Sequence, residues 1–487
     1  MLYIWRIIKL KIMVIVGRIK EIKLLQSLYE DRESSFLAVY GRRRVGKTYL
    51  IRHVYKKDIV FECSGLHKKS MSQQLEHFGL QLNTVNPTNP PIEMPKTWLQ
   101  AIFQLRAYLH TLAENDQKKI IFFDEIPWFE TPRSGFLAAL DSFWNQYCTK
   151  RADIILVICG SAASWIIEKV INDRGGLHNR LTHQLQLNPF TLKETKAFLE
   201  LNHVKMPLKD IAQIYMSVGG IPFYLKDIKA GFSVPQVLDQ LFFDVSAKLK
   251  NEFFNLYASL FKNNSLHEKV VGVLAGKNKG LTRNDIVALT DIKSGGELTI
   301  VLEELTQCGF IKPIYPINKL KEDYLYRLID EYTLFYFKFL KGETANNSWS
   351  QLAQTPTYTI WSGYAFENLC FKHIPQIKQE LGITGVITNE YSYTFKGNGE
   401  EKGTQIDLVI DRADNCINLL EVKFHNKEFD MNQEYAQQLE QKLIVFKNKT
   451  KTRKAVFITM LSVVGVKKNQ YYLSVVTNQL LLEDLFT

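Results

Sequence analysis

The chain has 487 residues, of which 46% are hydrophobic and 23% charged, with a formal net charge of +11. This length predicts three or four domains, with enough apolar residues for separate cores. The basic balance suits a polyanionic partner such as nucleic acid, but charge alone does not identify one. The six cysteines are scattered without a C-x-x-C pair, which argues against disulfides or zinc and predicts reduced thiols in a cytoplasm.

The beginning of the chain is apolar but is interrupted by Arg6, Lys9 and Lys11. It is too short and too charged to span a bilayer, and it lacks the small-residue cleavage site of a signal peptide. We expect an extended start, with Met13 as a candidate for the true first residue. No later run is long enough for a membrane helix, so the sequence predicts a soluble, cytoplasmic protein without a membrane partner.

A helix predicted over 19–29 and a buried strand predicted over 36–40 precede a phosphate-binding pattern, G-x-x-x-x-G-K-[ST]. The residues that fill this pattern are Gly41, Arg42, Arg43, Arg44, Val45, Gly46, Lys47 and Thr48. A strand, a Gly-rich turn and a helix start point several backbone N–H groups at one spot, where the helix dipole adds positive charge. The pattern predicts that Lys47 reaches the β- and γ-phosphates of ATP and that the Thr48 hydroxyl holds Mg²⁺.

The next elements are a strand predicted over 58–63, a Pro- and Asn-rich loop over 83–95 and a helix over 97–113. A run of four apolar residues then ends in Asp124 and Glu125, which is typical of a buried parallel strand that ends at the ligand edge of a sheet. We expect Asp124 to bind Mg²⁺ through water and Glu125 to polarise the water that attacks the γ-phosphate.

A further buried strand is predicted over 154–161 and ends in the small polar residue Ser161. This serine has two interpretations of about equal weight. It senses the γ-phosphate, or it is the N-cap of a helix over 162–170.

Six motifs occur in order over about residues 14–265. They are Gly17-Arg18-x-x-Glu21, Tyr40-Gly41-Arg42-Arg43-Arg44-Val45-Gly46-Lys47-Thr48, Phe123-Asp124-Glu125-Ile126-Pro127-Trp128, Gly160-Ser161-Ala162-Ala163-Ser164-Trp165, Gly175-Gly176-Leu177-His178-Asn179-Arg180 and Gly219-Gly220-Ile221-Pro222. This region resembles the archaeal-type ATPases of the AAA+/STAND group. The resemblance implies an α/β fold with a P-loop parallel sheet, followed by a helical lid. It also implies that Arg180 senses the γ-phosphate or acts as a finger, and that Pro222 belongs to a lid turn on the nucleotide. By local chemistry alone, Arg180 is a surface cation and the Gly-x-Pro turn is a helix stop.

From residue 266 the pattern changes to short helices and a hairpin. Thr282 is placed to cap one helix, a second is predicted over 297–308, and strands near 309–311 and 324–328 surround a turn with Lys319 and Lys321. This order is typical of a winged helix, and it resembles the module that follows the ATPase in the same family. DNA binding and a purely structural spacer are both open, because the second helix carries acids and few basic groups.

The last part of the chain contains Asp407 and, fourteen residues later, Glu421-x-Lys423. Residues two apart on a strand share a face, so Glu421 and Lys423 are predicted to point together. The two carboxylates can share a divalent cation, and Lys423 can orient water or stabilise a phosphate. A helix predicted to open at 363–367 brings Glu367 as a further metal ligand. The region resembles the PD-(D/E)XK nuclease superfamily, a restriction-endonuclease-like α/β fold, and the other interpretation is a fold retained without catalysis.

The predicted domains are a P-loop ATPase core over 14–190, a helical lid over 191–265, a winged helix over 266–340 and a nuclease-like domain over 341–487. The function favoured by the sequence is ATP binding and hydrolysis, with Mg²⁺, that controls a metal-dependent DNA nuclease. The alternative is a nucleotide-regulated switch that binds DNA or a partner without cutting, and a third is a signalling scaffold that oligomerises with ATP. Nucleic acid, DNA first, is the expected partner, and homo-oligomer formation is left open.

Overall fold

The computed structural model describes residues 15–88, 90–113, 115, 117–171, 180–261, 264–315, 324–342, 348–397 and 403–487. The chain divides into two compact units, Met1–Pro189 and Phe190–Thr487. The predictions for Met13, residues 175–179, Lys319 and Lys321 lie outside the described residues.

The first unit is an α/β domain with a five-stranded parallel sheet of order β2-β3-β4-β1-β5. Its strands are β1 Ser35–Tyr40, β2 Ile59–Ser64, β3 Lys119–Asp124, β4 Ile154–Gly160 and β5 His183–Gln186. Its helices are α1 Ile19–Glu30, α2 Lys47–Val54, α3 Met71–Val85, α4 Trp98–Thr111, α5 Phe136–Gln146 and α6 Ala163–Ile166.

The central strands β3 and β4 have largely apolar sequences because they are buried. Every residue of β3 and β4 is buried, as expected for parallel strands that are covered on both faces. Because β1, β3 and β4 run in the same direction, their carboxyl ends meet at one edge of the sheet, where the phosphate loop and the two acids follow. The predicted parallel sheet is therefore confirmed.

Two helices of the first unit, α3 and α5, were not predicted, and the loop predicted over 83–95 starts too early. Helix α3 begins with a capping box in which Ser70 and Gln73 satisfy each other's backbone N–H groups. Leu75, Phe78 and Leu82 then repeat at helical spacing and are buried. Such caps and periodic apolar residues stabilise the helix through Val85.

The second unit begins with helices and continues into a small three-stranded antiparallel sheet of order β6-β8-β7. The helices that precede this sheet are α7 Leu192–Leu201, α8 Leu208–Val218, α9 Pro222–Leu225, α10 Val234–Leu238, α11 Glu252–Leu260 and α12 Asn264–Ala275. The sheet region contains β6 Leu281–Thr282, α13 Arg283–Thr290, α14 Gly296–Gln307, β7 Ile311–Ile314 and β8 Leu325–Leu328. Thr282 caps α13 through a capping box with Asp285, as the sequence predicted.

This helix-helix-hairpin order is the one expected of a winged helix, but the assignment to that fold stays a prediction. The second helix, α14, has the sequence GELTIVLEELTQ, without a lysine or arginine. Ile314 and Leu325 of the hairpin pack into a core cluster with Tyr391 and Ile406 of the following domain. The hairpin thus forms part of the core of the second unit.

The C-terminal part of the second unit has a mixed five-stranded sheet of order β13-β12-β11-β10-β9. Its β9-β10 and β10-β11 pairs are antiparallel, whereas β11-β12 and β12-β13 are parallel. The strands are β9 Thr388–Phe395, β10 Thr404–Arg412, β11 Cys416–Lys423, β12 Ala455–Ser462 and β13 Asn478–Leu481. The helices are α15 Glu331–Phe335, α16 Trp349–Leu352, α17 Pro356–Lys372, α18 Ile374–Glu380, α19 Gln433–Thr450 and α20 Gln470–Val475.

The helix expected to open at Gly363 begins earlier. Thr355 caps α17 by accepting a hydrogen bond from the Tyr358 N–H, and Pro356 occupies its first turn. Proline is favoured there because its fixed φ suits the helix and its missing N–H has no helical partner at that position. Gly363 therefore lies inside the helix, and Glu367 lies near its end.

Candidate functional site

The phosphate loop of the first unit connects β1 to α2, as the motif predicted. Gly41 has φ of 140° and Gly46 has φ of 94°, conformations that favour glycine. A Cβ atom on Gly41 would lie 2.3 Å from the Leu187 carbonyl oxygen. The chain therefore needs glycine at this point, and the loop delivers Lys47 and Thr48 to the first turn of α2.

Lys47 is buried, with a side-chain ammonium that has neutral partners. Its Nζ donates to the carbonyl oxygens of Gly41 at 2.9 Å and Arg42 at 3.0 Å. Among the described residues, no carboxylate lies within ion-pair distance of this ammonium. The charge is thus positioned by the loop without being neutralised, which suits a bound anion.

The hydroxyl of Thr48 and the carboxylate of Asp124 are brought together by the ends of α2 and β3. Thr48 Oγ1 donates to Asp124 Oδ2 at 2.8 Å, and the Glu125 N–H donates to Asp124 Oδ1 at 3.0 Å. Burial raises the pKa of Asp124 from its ordinary value. A hydroxyl oxygen and a carboxylate oxygen at this separation are ligands that Mg²⁺ accepts.

Glu125 follows β3 in a left-handed backbone conformation, with φ of 49°. Its Oε2 accepts hydrogen bonds from Ser161 Oγ at 2.9 Å and from the Ser161 N–H at 3.3 Å. Ser161 is not the N-cap that one interpretation assigned to it, because α6 begins after Ala162 and has no side-chain cap. Ser161 instead fixes the orientation of the carboxylate expected to polarise water.

Arg18 is a site residue that the sequence reasoning quoted in a motif but gave no role. It is buried, and its Nη2 donates to the carbonyl oxygen of Val45 inside the phosphate loop at 3.3 Å. Its Nη1 also lies 3.7 Å from Oε1 of Glu21. The first motif thus supports the second, and the Gly-Arg-x-x-Glu spacing was the signal available in the sequence.

Two further residues, Arg180 and Pro222, have nucleotide roles that the resemblance implies. Arg180 is exposed, and its Nε is 3.5 Å from Oδ1 of Asp141 on α5. Pro222 opens α9 in the second unit. The turn before it requires glycine because a Cβ on Gly220 would lie 1.9 Å from the Phe190 carbonyl oxygen and one on Gly219 would lie 2.8 Å from the Glu331 carboxylate. Both nucleotide roles stay predictions.

A second charged cluster, which we call the acidic cluster, is formed in the second unit by Glu367, Asp407, Glu421 and Lys423. The antiparallel pairing of Leu408 with Leu420 places Asp407 opposite Glu421. Asp407 Oδ2 accepts a hydrogen bond from the Val422 N–H at 3.0 Å. Lys423 Nζ lies 3.1 Å from Glu421 Oε1, so the predicted common face of these two residues is confirmed.

Helix α19 adds two residues that the sequence reasoning missed. Tyr435 donates its O–H to Glu421 Oε1 at 2.9 Å, and Lys442 Nζ donates to Glu421 Oε2 at 2.7 Å. Both oxygens of Glu421 are therefore occupied by donors. Tyr435 and Lys442 are seven residues apart, so they lie on the same face of the helix, two turns from each other. This spacing was the signal in the sequence that could have indicated their shared position.

The titration of the three acids differs according to their neighbours. Burial, and then the charge of Asp407, raises the pKa of Glu367 to about 8. Burial, and then the charge of Glu421, raises the pKa of Asp407 to about 6. Burial opposes the ionisation of Glu421, but the ammonium groups of Lys442 and Lys423 hold its pKa below the ordinary value. The carboxylates thus lie close enough to repel each other, an arrangement that a cation stabilises.

The preceding hairpin supplies another cation to this cluster. Arg327 of β8 is buried, its Nη2 lies 4.0 Å from Glu367 Oε2, and its guanidinium lies 4.6 Å from the centre of the Phe371 ring. No group of three or more His, Cys, Asp or Glu residues in the described part of the chain is arranged to hold a metal ion. Mg²⁺ is commonly held by one or two carboxylates plus water, so Asp407 and Glu421 supply enough carboxylates for such a site without Glu367, once the donors on Glu421 move aside.

Comparison with known proteins identifies the class of the first unit. Residues 15–228 match the model of a family described as an ATPase domain predominantly from Archaea. The chain therefore carries an archaeal-type ATPase domain, as the motifs predicted. No helix among the described residues has the length and apolarity needed to cross a membrane.

Individual proteins resemble the chain at low identity. An uncharacterized protein of Methanocaldococcus jannaschii is 25% identical over 431 residues, which cover 86% of this chain and 90% of that protein. A Walker-type ATPase of Pyrococcus abyssi is 16% identical with a TM-score of 0.46, covering 66% of this chain and 96% of its own. The ORC2 protein of Aeropyrum pernix, in ADPNP–ADP complexes, is 15% identical with a TM-score of 0.39, covering 69% and 95%.

Proposed function

We propose that the protein binds and hydrolyses ATP at the phosphate loop and that this activity controls a metal-dependent DNA nuclease in its C-terminal domain. The observation that carries the first part is the buried Lys47 ammonium, which is held by two loop carbonyl oxygens. A buried cation with neutral partners is costly unless an anion completes its surroundings. The β- and γ-phosphates of ATP are the anions that a loop of this geometry binds.

Residues around Lys47 have separate roles in this proposal. Thr48 and Asp124 would hold Mg²⁺, which would supply positive charge to the phosphates of ATP. Glu125, oriented by Ser161, accepts a proton from the attacking water. Arg18 keeps the loop in place through the Val45 carbonyl. Arg180 gives up its ion pair with Asp141 and then senses the γ-phosphate.

Support for the nuclease part is the assembly of Asp407, inside β10, with Glu421 and Lys423, near the end of the neighbouring β11. Asp407 and Glu421 would hold the divalent cation, and Lys423 would orient water or stabilise charge on the phosphodiester. Exposed basic residues at the end of α19 and just after it, Lys447, Lys451 and Arg453, provide cations that can follow a phosphate backbone. DNA is accordingly proposed to contact this domain, because α14 contains no basic side chain.

A second function is favoured by the donors around Glu421. Two ammonium groups and a phenol already occupy both oxygens of this carboxylate. Such a closed ion network is also what a domain that binds DNA without cutting would retain. The alternative is therefore a nucleotide-regulated switch with a PD-(D/E)XK-like domain that grips DNA or a partner, and homo-oligomer formation is compatible with either function. The six free cysteines fit action in a reducing cytoplasm.

A cleavage assay separates the two functions. Full-length protein is incubated with linear, circular and single-stranded DNA and with RNA, with Mg²⁺ or Mn²⁺, in the presence and absence of ATP. The nuclease proposal expects metal-dependent cutting of DNA that changes with ATP. Binding without cutting under every condition supports the switch instead, and the absence of both contradicts a nucleic-acid partner.

Salt dependence tests the nucleic-acid contact independently of cutting. Displacement of counterions from phosphates should make the affinity for DNA fall steeply between two salt concentrations. A gel-shift series at each concentration measures this slope. An affinity that does not change with salt would contradict the proposed backbone contact, and no detectable binding at low salt would favour the scaffold interpretation.

A further inference from the structure

The second unit contains a cavity whose lining includes none of the residues of the acidic cluster. Its volume is about 440 Å³, within the roughly 300–1,000 Å³ of pockets that bind small organic ligands. Helices α8, α10, α16 and α17 and the segment after β11 surround it. Its main lining side chains are Asp210, Gln213, Trp349, Tyr358, Phe424 and His425.

The segment after β11 connects this cavity to the acidic cluster. β11 ends at Lys423, and the next residues, Phe424 and His425, line the cavity. At about 3.3 Å per extended residue, His425 lies no more than about 7 Å along the chain from Lys423. Phe424 also packs against Phe366, the neighbour of Glu367, with ring centres 5.2 Å apart.

Helix α17 makes the same connection on another side. Ser362 lines the cavity, and Glu367 follows it by five residues on the same helix. A rise of 1.5 Å per residue places these positions about 7.5 Å apart along the helix axis. The cavity and the acidic cluster are therefore built on neighbouring positions of the same two elements, α17 and β11 with the segment that follows it.

The chemistry of the lining favours a planar ring with N–H donors. The rings of Tyr358, Phe424 and His425 are not fully buried and supply stacking surfaces. The described lining residues include no lysine or arginine, and the ammonium of Lys209 at the cavity wall donates to the lining residue Asn426. Asp210 makes no ion pair or hydrogen bond with other described residues. Gln213 Nε2 donates to the Tyr358 hydroxyl at 2.5 Å, which leaves the Gln213 amide oxygen as a second acceptor.

We propose that this cavity binds a nucleobase, with the ring against the aromatic side chains and its N–H groups donating to Asp210. Guanine fits best, because its ring N–H and exocyclic amino group can donate side by side to one carboxylate. Uracil and thymine fit worst, because carbonyl oxygens on both sides of their N–H group face the carboxylate. The base comes either from a nucleic-acid strand or from a free nucleotide, and only the first source rests on the proposed nuclease function.

Calorimetric titration tests the inference in the full-length Lys47→Ala protein, in which the phosphate loop is impaired, with EDTA to prevent cutting. The probes are guanosine, uridine and single-stranded oligonucleotides that differ by one guanine-to-uracil or guanine-to-thymine change. We expect guanosine or the guanine-containing strand to bind more tightly than its partner. Asp210→Asn should reduce that preference by about tenfold, the scale of one paired base contact.

Two further variants keep the result interpretable. Phe424→Leu removes a stacking surface and should weaken guanine binding even if Asp210→Asn does not fold. Glu200→Gln on the neighbouring α7, half-exposed beside Lys196, should leave binding unchanged. Equal affinities for guanine and uracil probes in the parent, or unchanged guanine affinity in both Asp210→Asn and Phe424→Leu, would overturn the inference.

The outcomes with the different probes also separate this inference from the nuclease proposal. Guanosine binding that requires Asp210, in a protein that never cuts DNA, supports a free-nucleotide source and removes the nuclease role. Binding of the guanine-containing strand alone supports the strand source. A protein that cuts DNA but does not distinguish the bases keeps the nuclease role and refutes the base pocket.

Discussion

The phosphate loop and the acidic cluster both contain lysines at the ends of buried elements, but these lysines have opposite partners. Lys47 donates to the neutral carbonyl oxygens of Gly41 and Arg42. Lys423 and Lys442 both lie against the carboxylate of Glu421. The first site therefore presents positive charge to an incoming anion, whereas the second is neutralised from within.

This difference indicates how ready each site is for its ligand. At the phosphate loop, Lys47 donates to carbonyl oxygens and has no carboxylate partner among the described residues, so an incoming phosphate breaks no ion pair at this lysine. A metal ion at Glu421 must instead share that carboxylate with two ammonium groups and the Tyr435 hydroxyl. The nuclease role therefore depends on movement of the donors around Glu421, whereas ATP binding requires no ion pair of Lys47 with a described residue to break.

The largest expected effect tests whether the acidic cluster is catalytic. Asp407→Ala, Glu421→Ala and Lys423→Ala should each reduce DNA cutting by about 10³-fold or more while ATP hydrolysis continues, because each removes part of one metal-assisted site. A double variant should be no worse than a single one, since members of one site act together. Gel-based cleavage rates measure the effect.

Asp414→Ala is the matched control, because Asp414 belongs to the same domain but pairs with Arg412 on the surface. It should cut at the parent rate. Cutting at the parent rate in Asp407→Ala as well would show that the cluster is structural, and the comparison between an anion site and a metal site would fail.

The second effect concerns the phosphate loop. Lys47→Ala should weaken ATP binding by about 10²-fold, the scale of a lost charged hydrogen bond in a buried site. Isothermal titration with ATP and Mg²⁺ measures the affinity, and Lys56→Ala, at an exposed position after α2, is the control. Equal ATP affinities in the two variants would refute the role given to Lys47.

A smaller effect concerns the stability of the second unit, which should depend on pH through His373. The ring Nδ1–H donates to the Leu369 carbonyl oxygen, and Nε2 accepts from the Leu192 N–H, so the ring is held neutral. Burial lowers its pKa to about 4. The unfolded chain binds the proton more readily, so stability is complete above about pH 6.5 and decreases as the pH falls toward 4.

Between pH 7 and pH 5 this histidine should account for a loss of about 2 kcal/mol in the free energy of unfolding. Urea unfolding of the parent and of His373→Gln at both pH values measures the difference, which should shrink in the variant. His203→Asn, at an exposed left-handed position, is the control. A pH dependence that is the same in His373→Gln and the parent would contradict this account.

The smallest expected effect compares how much Lys442 and Lys47 contribute to the free energy of unfolding. Lys442→Met should lower the free energy of unfolding by about 1 kcal/mol, because Glu421 loses one cation from a partly exposed network. Lys47→Met should not lower it, because Lys47 has no carboxylate partner among the described residues. Unfolding without nucleotide or metal gives both values, and equal losses would remove the contrast between the two sites.

The elements of the phosphate-loop site could be predicted because each signal is local in sequence. The glycines, Lys47 and Thr48 lie in one motif, and the acids follow one apolar run. The link between Ser161 and Glu125 could not be predicted, because a serine after a strand satisfies a helix cap or a carboxylate equally well. Only the pairing of parallel strands brings these two residues together.

The acidic cluster was predicted less completely for a similar reason. Glu421 and Lys423 share a strand, so their proximity follows from the pleat. Lys442 and Tyr435 lie on a different element from Glu421, and Arg327 lies about forty residues before Glu367. No sequence pattern connects residues at such separations, so these contacts could not be predicted. The cavity beside Phe424 gave no sequence signal, because its lining combines short stretches from separate helices and one strand end.

The most direct test of the central claim is single-turnover release of phosphate from ATP in Glu125→Gln, with Glu168→Gln, at an exposed position beside Lys169, as the control. The amide cannot accept a proton from water, so we expect ATP affinity close to that of the parent and hydrolysis slower by about 10²-fold or more. The control should hydrolyse ATP normally. Phosphate release at the parent rate in Glu125→Gln would contradict the assignment of this site as an ATP-hydrolysing centre.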